Sequence, residues 1–435
     1  AEPAAAVVSA RKSKKPAVKG GKRYEARRDA IMAAAVRMFN ARGLKGATLA
    51  DIAAAVGLAT NSITYYFRKK EDIATACLLH AIEVFTANAD QAQQQPTVAR
   101  RIETFFQING QMLADIDAGE RAQIVQFHDV RALTGPHAER VFAAYNQMFR
   151  SVRALLQDAS TSHWPRPDLN ARAHIVLSAS LSMRSWIRRY DRTQYLVVGE
   201  RFADILLHGI AASGASWVDD GPESDWRLVE HQAGSSEAFF RAATVLVNEQ
   251  GYRGASIDRI AARINLTKGS FYHHHDTKQD LIHECFARTF AVLRRSFDLA
   301  DTTGGCGWDR ACMAMRALLR FQLSEDGPLL RFSAYSALPD RNHRDEVRLD
   351  MLRVFERMNS LLVAGMMDGS IRPLDPAVGA QVLVSVANAM SELHLWVAQA
   401  DDKGIGQLCG RAMVFGVLCD PPVRKPRRKA GAQLR

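Results

Sequence analysis

The chain has 435 residues, 47% of them hydrophobic, and a formal net charge of +11, which is length enough for about two to three domains with substantial cores. No apolar run approaches the roughly 18 residues of a membrane span, and residues 1–22 lack the apolar core of a signal peptide, so neither insertion nor export is expected and a cytoplasmic, nucleoid-associated protein is. The six cysteines (77, 285, 306, 312, 409 and 419) show no Cys-x-x-Cys spacing and fall mostly within apolar helical patterns, which reads as reduced core thiols.

The charge sits at the two ends. Residues 1–28 carry nine Lys/Arg against Glu2 and Glu25, and residues 421–435 carry six with no acid, so the rest of the chain is close to neutral. The ends 1–23 and 421–435 are rich in Ala, Pro and Gly and are expected to be disordered basic arms. Such arms add phosphate contacts or reach into a minor groove. The alternative is a solvated tail; membrane adhesion is disfavoured because no large apolar residues interleave with the charges.

The first predicted helix spans 24–41, with Ile31, Ala35, Met38 and Phe39 on its buried stripe and Gly43 as its stop. Residues 43–72, GLKGATLADIAAAVGLATNSITYYFRKKED, then read as helix, tight turn and short helix. Thr48 is an N-cap, whose hydroxyl can accept from an unpaired amide of the first turn. Leu49, Ile52, Ala53 and Val56 form an i, i+3, i+4, i+7 stripe, Gly57 permits a left-handed exit, and Leu58 pins the turn. The second helix, 59–65, is small and polar on its outer face and ends in aromatic rings.

The same pattern returns 208 residues later. GYRGASIDRIAARINLTKGSFYHHHDTKQD, residues 251–280, matches the first stretch at ten of thirty positions, against about two by chance. Ser256 replaces Thr48 as the cap, Asn265 replaces Gly57 at the turn, Leu266 is the pin, and the second helix is 267–273. Phe239, Ala243, Leu246 and Val247, with Gly251 as the stop, repeat the preceding helix. Each copy is therefore a helix-turn-helix whose second helix can enter a major groove.

The residues carry a family resemblance. Residues 30–43, Thr48-Leu49-Ala50-Asp51-Ile52-Ala53, Gly57-Leu58 and Tyr65-Tyr66-Phe67 resemble the TetR/AcrR family of bacterial transcriptional repressors. So do Ile260-Ala261, Leu266, Lys268-Gly269-Ser270 and Phe271-Tyr272-His273-His274 in the second copy. The resemblance covers about fifty residues per copy. It implies an all-α fold of two tandem units, each a three-helix DNA-binding head on a helical ligand-binding and dimerisation body. It also implies an operator in double-stranded DNA, a small-molecule effector, and a long helix (from Lys70 and from Lys278) that moves when ligand binds.

On DNA, Thr60, Asn61, Ser62 and Thr64 are expected to face outward from the first recognition helix, and Thr267, Lys268, Gly269, Ser270 and Tyr272 from the second. Lys268 can read guanine O6/N7 and Asn61 adenine N6/N7. Thr48, Tyr65, Tyr66 and Lys70, and Ser256, His273 and Lys278, are expected at phosphates. Two departures from the family pattern stand out: Thr64 where a phosphate-binding Tyr is usual, and His275 where a Phe normally plugs the head. Because the outer faces differ, two bound heads should read unlike half-sites.

Beyond the heads the repeat persists as pattern, with paired amphipathic segments at 96–116 and 308–324, apolar segments at 124–133 and 329–338, and long helices at 137–159 and 341–367. Pro165-Arg166-Pro167-Asp168 answers Arg372-Pro373-Leu374-Asp375 at an offset of 207, and Gly209 and Gly416, placed in the last helix of each half, keep it. The expected division is a head at 24–70, a body at 71–212, a linker at 213–235, a second head at 236–278 and a second body at 279–420. Candidate effector contacts are Phe106, Phe127, His128, Tyr145, Met148 and Trp186 in the first body. In the second they are Phe321, Phe332, Tyr335, Phe355, Met358, His394 and Trp396. A Met and aromatic stripe at helical spacing is more often plain core than pocket. If they line a pocket, it is mainly apolar.

No cofactor and no metal is expected. Consecutive ligands at His273-His274-His275 diverge on a helix, and His283 brings no recognisable site spacing. No P-loop, dinucleotide glycine pattern, Gly-x-Ser-x-Gly or His-Glu-x-x-His is present, so an enzyme is not expected. The expected arrangement is an intramolecular pseudo-dimer. A homodimer carrying four heads is the alternative, and so is a chain with one working head whose other half serves as a protein-interaction or sensor module.

Overall fold

A computed structural model describes residues 21–217, 228–229, 235–272, 276–338, 340–402 and 404–420. The fold is all-α; among the described residues the only extended pairing is an isolated bridge between Ala211 and Ile371. The basic arms 1–20 and 421–435, most of the linker, and His273, His274 and His275 lie outside the described residues, as do the side chains of His128 and Ser270.

The first unit opens with α1 (Lys22–Gly46), α2 (Leu49–Ala55) and α3 (Thr60–Ile63). Gly43, at φ 71°, breaks α1 because a right-handed helix cannot continue through that conformation, and only a short turn follows it. Next come α4 (Lys70–Ala92), α5 (Val98–Ala118), a 3-10 segment at Phe127–Ala132, α6 (Gly135–Ala154), α7 (Arg166–Trp186) and α8 (Tyr195–His208). The second unit repeats the order. Its head is α9 (Ser235–Gly254), α10 (Ile257–Arg263) and α11 (Lys268–Tyr272). Its body is α12 (Lys278–Thr303), α13 (Gly307–Leu323), a 3-10 segment at Phe332–Ala337, α14 (Arg341–Met367) and α15 (Pro376–Ala389). A π-helical turn at Gly406–Gly410 then leads into α16 (Arg411–Val414).

Each head closes on its own core. Ile31, Ala35 and Phe39 of α1 pack over Ile52, Ala53 and Ile63, and Phe239, Ala243, Ile260, Ala261 and Phe271 repeat the arrangement. In the first body α5 and α8 lie in direct contact, and two glycines make this possible. A Cβ on Gly110 would stand 2.8 Å from the Tyr195 carbonyl oxygen, and one on Gly199 would stand 2.8 Å from that of Phe106.

The two units meet through α7 and α8 on one side and α15 with the Gly406–Gly410 turn on the other. Gly209 and Gly416 mark the crossing. They lie just past their helices rather than within them, because φ values of 63° and 94° leave the right-handed helical region. A Cβ on Gly209 would fall 2.2 Å from the Val414 carbonyl oxygen, and one on Gly416 would fall 2.0 Å from that of Leu207. Backbone bonds run across the same place, from Ile210 N to Val414 O (2.8 Å) and from Val417 N to Leu206 O (2.7 Å).

An arginine from each unit then bonds to the segment in or just after the last helix of the other. Arg172, 1% exposed, donates to Val417 O (3.0 Å) and Cys419 O (2.7 Å), while Arg372 donates to Gly209 O (2.8 Å) and Asp204 Oδ2 (2.7 Å). Buried donors and acceptors left unpaired would cost about 1–3 kcal/mol each, so these bonds hold the crossing in one register. His174 Nε2 lies 3.1 Å from Ala389 O in the same interface, where burial pushes its imidazole below the ordinary value and keeps it neutral.

Candidate nucleic-acid interface

The first helix-turn-helix is fixed at its start by reciprocal capping. Thr48 Oγ1 accepts from Asp51 N (3.1 Å), and Asp51 Oδ2 accepts from Thr48 N (3.2 Å) and from the Thr48 hydroxyl (2.8 Å). The hydroxyl and the backbone amide of Thr48 together hold the Asp51 carboxyl below its usual range. At the turn Gly57 has φ 65°, and Leu58 N closes back on Ala53 O at 2.9 Å. The regular recognition helix is a single turn, shorter than the predicted 59–65, although Tyr66 N and Phe67 N still bond to Ile63 O. Ile63 and Phe67 point into the head, so Thr60, Asn61, Ser62 and Thr64 are left exposed on its outside. The Thr64 hydroxyl turns back to Asn61 O at 2.7 Å.

Tyr65 is 59% exposed, whereas Tyr66 is half-buried. The rings of both meet Tyr24 from the start of α1, which stacks on Tyr66 (centroids 4.9 Å) and meets Tyr65 edge-on (5.8 Å). Sequence reasoning missed Tyr24. A ring in the otherwise charged first turn of α1 is the signal that could have found it, because such a ring needs an apolar partner. Lys70 opens α4 and is half-buried.

The second head keeps the backbone and changes the chemistry. Ser256 Oγ accepts from Arg259 N at 3.4 Å, with no acid to reciprocate, since Arg259 stands where the first head has Asp51. Asn265, at φ 57°, is the one non-glycine among the described residues in the left-handed region, and Leu266 N closes on Ala261 O at 3.0 Å. Phe271 is buried at the place of Ile63, leaving Thr267, Lys268, Gly269 and Tyr272 exposed. Lys268 Nζ lies 3.6 Å from Asp258, an exposed pair that DNA can readily exchange for a base edge or a phosphate. Lys278 is differently engaged: its ammonium sits 4.3 Å over the Tyr252 ring and donates to the Tyr252 carbonyl. It ties α12 to α9 rather than standing out toward solvent.

Each head is clamped to its body by an asparagine that sequence reading overlooked. Asn40 donates to Ile124 O (3.0 Å) and accepts from Gln126 N (2.9 Å), while Asn248 donates to Leu329 O (2.9 Å) and accepts from Arg331 N (3.0 Å). The pair keeps the 208-residue offset, so extending the repeat three positions upstream of Gly43 would have found it. Between the clamps α1 and α9 approach one another, leaving a cleft of about 540 Å³, part of it open to solvent, between the two heads and the two bodies. Glu392 stands close by, bound by Arg131 of the first unit (3.2 Å) and Arg331 of the second (2.6 Å).

The candidate effector residues are not gathered in one pocket. Phe106, Met148 and Trp186 are buried in the first body, where Phe106 and Trp186 both pack against Phe202 (5.0 and 5.5 Å). In the second body Phe321, Phe332, Phe355 and Met358 are buried and Tyr335 is half-buried. His394 lies on the surface. Trp396 does not line the second body as expected. It crosses to the first, stacking on Phe149 at 3.6 Å and on Tyr145 at 6.2 Å, and Tyr145 in turn meets Phe127 at 5.6 Å. His283 stacks on His343 (4.2 Å) and pairs with Glu346 (3.0 Å). No helix among the described residues is long and apolar enough to cross a membrane.

The profile of the bacterial regulatory proteins of the TetR family matches this chain twice, at residues 31–77 and 239–285. The chain is a tandem TetR-family protein. Among curated relatives, the TetC protein of transposon Tn10 from Escherichia coli is 33% identical over 57 residues, which is 13% of this chain and 29% of TetC's length. The transcriptional repressor KstR2 of Mycolicibacterium smegmatis is 24% identical over 193 residues, 43% of this chain and 92% of KstR2. Among solved structures, the TetR-family regulator PfmR of Thermus thermophilus is similar at 18% identity and a TM-score of 0.34, over 41% of this chain and 94% of PfmR. TetR-family proteins are transcriptional regulators, typically repressors, that bind operator DNA through this helix-turn-helix and respond to small-molecule ligands.

Proposed function

We propose that this tandem TetR-family protein is a repressor that works as a one-chain pseudo-dimer. Its two heads, 24–70 and 236–278, read unlike half-sites through α3 and α11, and a small, mainly apolar effector bound in a helical body, 71–212 or 279–420, releases it. The observation that carries the reading is the reciprocal crossing at Gly209 and Gly416. It is made between two units of the same chain, so both heads are supplied without a second copy. Two recognition helices about one DNA turn apart, roughly 34–36 Å, are what such a dimer presents to its operator.

In the first head Asn61 is assigned to an adenine edge and Thr60, Ser62 and Thr64 to its surroundings. In the second, Lys268 is assigned to a guanine edge, with Thr267, Gly269 and Ser270 against the groove and Tyr272 supplying the phosphate contact that Thr64 cannot. Thr48, Tyr65, Tyr66 and Lys70, with Ser256 and His273, are assigned to the backbone, while Lys278, expected there from the sequence, is left to hold α12 against α9. The effector acts by favouring a body conformation in which α4 and α12 hold the heads at the wrong spacing, which requires it to bind that conformation more tightly.

The test is fluorescence anisotropy on the chain's own upstream DNA at fixed salt. Asn61→Ala and Lys268→Ala should each weaken binding about 10-fold, roughly 1–3 kcal/mol per lost base contact, and each should relax specificity at a different half-site. Loss from only one of the two substitutions would contradict two reading heads.

A further inference from the structure

The two bodies differ where they should be most alike. In the first, α5 and α8 touch through Gly110 and Gly199. The N-caps Thr97 and Cys306 set α13 209 residues after α5, which puts Leu319 at the place of Gly110. Gly406 keeps the place of Gly199 at the 207-residue offset. With one glycine replaced by leucine the same close approach is impossible, and the second body has a slot between α13 and the Gly406–Gly410 turn.

The slot is filled from outside the body. Trp217, on the segment that leaves the first unit, lays its indole across the glycine floor. A Cβ on Gly410 would lie 2.7 Å from its Cη2 and 3.1 Å from its Cζ2, and one on Gly406 would lie 3.6 Å from Cζ2. Arg316, 6% exposed, stacks over the ring at 5.7 Å. Trp308 Nε1 donates to Ser216 O at 3.0 Å and fixes the segment at the slot's edge. The floor is a π-helical turn, a geometry found mostly as single turns and often at functional sites. An aromatic face, a glycine (Gly410) that admits it edge-on and a buried guanidinium above it are the elements of a site for a planar aromatic ring.

We propose that this slot is a binding site for a planar, bicyclic aromatic ligand, held in the resting chain by Trp217 as an internal occupant. A ligand that enters must displace the indole, and with it the segment that runs on toward the second head. Because the occupant is tethered, its effective concentration is in the millimolar range, so a competing ligand binds the intact chain more weakly than it binds the emptied slot. The proposal rests on the reading that one of the bodies answers a small molecule, and it names the chemical class.

The probe is free indole, which is the Trp217 side chain without its tether, titrated by calorimetry into the full chain and into Trp217→Gly. The variant should bind one indole per chain at least 10-fold more tightly than the parent, and adding Gly410→Ala, whose methyl occupies the slot, should abolish the gain. Trp217→Ala, which also empties the slot, serves if the glycine variant does not fold, and the same 10-fold margin is required of it. A folded variant that binds indole no better than the parent overturns the proposal. Operator affinity is measured in the same samples. Tight indole binding without any change in operator affinity would support the slot and count only against the effector reading above.

Discussion

The two heads share a backbone and differ in what they show to DNA. Both start on a hydroxyl cap, both turn through a left-handed residue, both pin the turn with leucine, and both bury one large residue from the recognition helix, Ile63 or Phe271. Outside, Lys268 and Gly269 stand where the other head has Thr60 and Asn61, Tyr272 stands where it has Thr64, and an Asp51 cap partner has become Arg259. The pattern of sameness follows from sterics. In the heads the hydroxyl cap, the turn leucine and the buried apolar position keep their kind, whereas most positions of the recognition helix that meet solvent have diverged. In the bodies even close-packed positions have diverged, Leu319 standing at the place of Gly110. Phe149 and Glu356 are counterparts at an offset of 207, as are Arg189 and Trp396. Yet one pair across the interface is an aromatic stack and the other an exposed ion pair at 3.8 Å.

If the crossing is what makes the two halves one unit, its glycines should be the most sensitive positions in the chain. Gly209→Ala or Gly416→Ala places a methyl about 2 Å from a carbonyl oxygen of the other unit, at a positive φ. Either should cost on the order of 4 kcal/mol, seen as a lower denaturant midpoint and as loss of cooperativity between the halves. An unchanged midpoint would show that the units do not depend on this contact. The recognition-helix substitutions come next, at about 1–3 kcal/mol of binding each.

Smaller effects separate the two caps. Thr48→Ala removes both the amide's acceptor and Asp51's partner and should cost about 1 kcal/mol of stability. Ser256→Ala should cost less, because its single bond is long at 3.4 Å and has no reciprocal acid. Equal losses would argue that the caps act alike despite the geometry.

Between pH 5 and 8 acid should act at the interface between units, through His174. Burial lowers the His174 pKa in the folded chain, so as pH falls the unfolded chain takes up the proton first. Stability is therefore full above about pH 6.5, the ordinary imidazole value, and declines as pH drops below it. His174→Gln, which can keep a donor toward Ala389 O, should flatten that slope in thermal denaturation followed across pH 5–8. An unchanged slope would place the titrating group elsewhere.

Much of this was legible in the residues. The 208-residue echo, the caps and the turn residues fix the heads, because capping and left-handed turns depend on a few local side chains. The 207-residue offset carried the bodies' order as far as Gly209 and Gly416, although not their place just beyond the helix ends. What could not be read is which surface covers a buried ring. Helical periodicity marks Trp396 as partly apolar-facing but not that its partner, Phe149, belongs to the other half. Nor does Trp217, in a stretch rich in Gly and Ser, announce a slot at Gly406–Gly410 in the other half. Such contacts depend on how two finished units dock, and no local pattern encodes that.

The most direct test is multi-angle light scattering of the free chain and of its complex with DNA from its own upstream region. One chain per duplex, at a free mass near 48 kDa, is the result expected of a pseudo-dimer, together with an operator that is not a palindrome. A free mass near twice that value, or two chains per duplex on a palindromic site, would contradict the one-chain account.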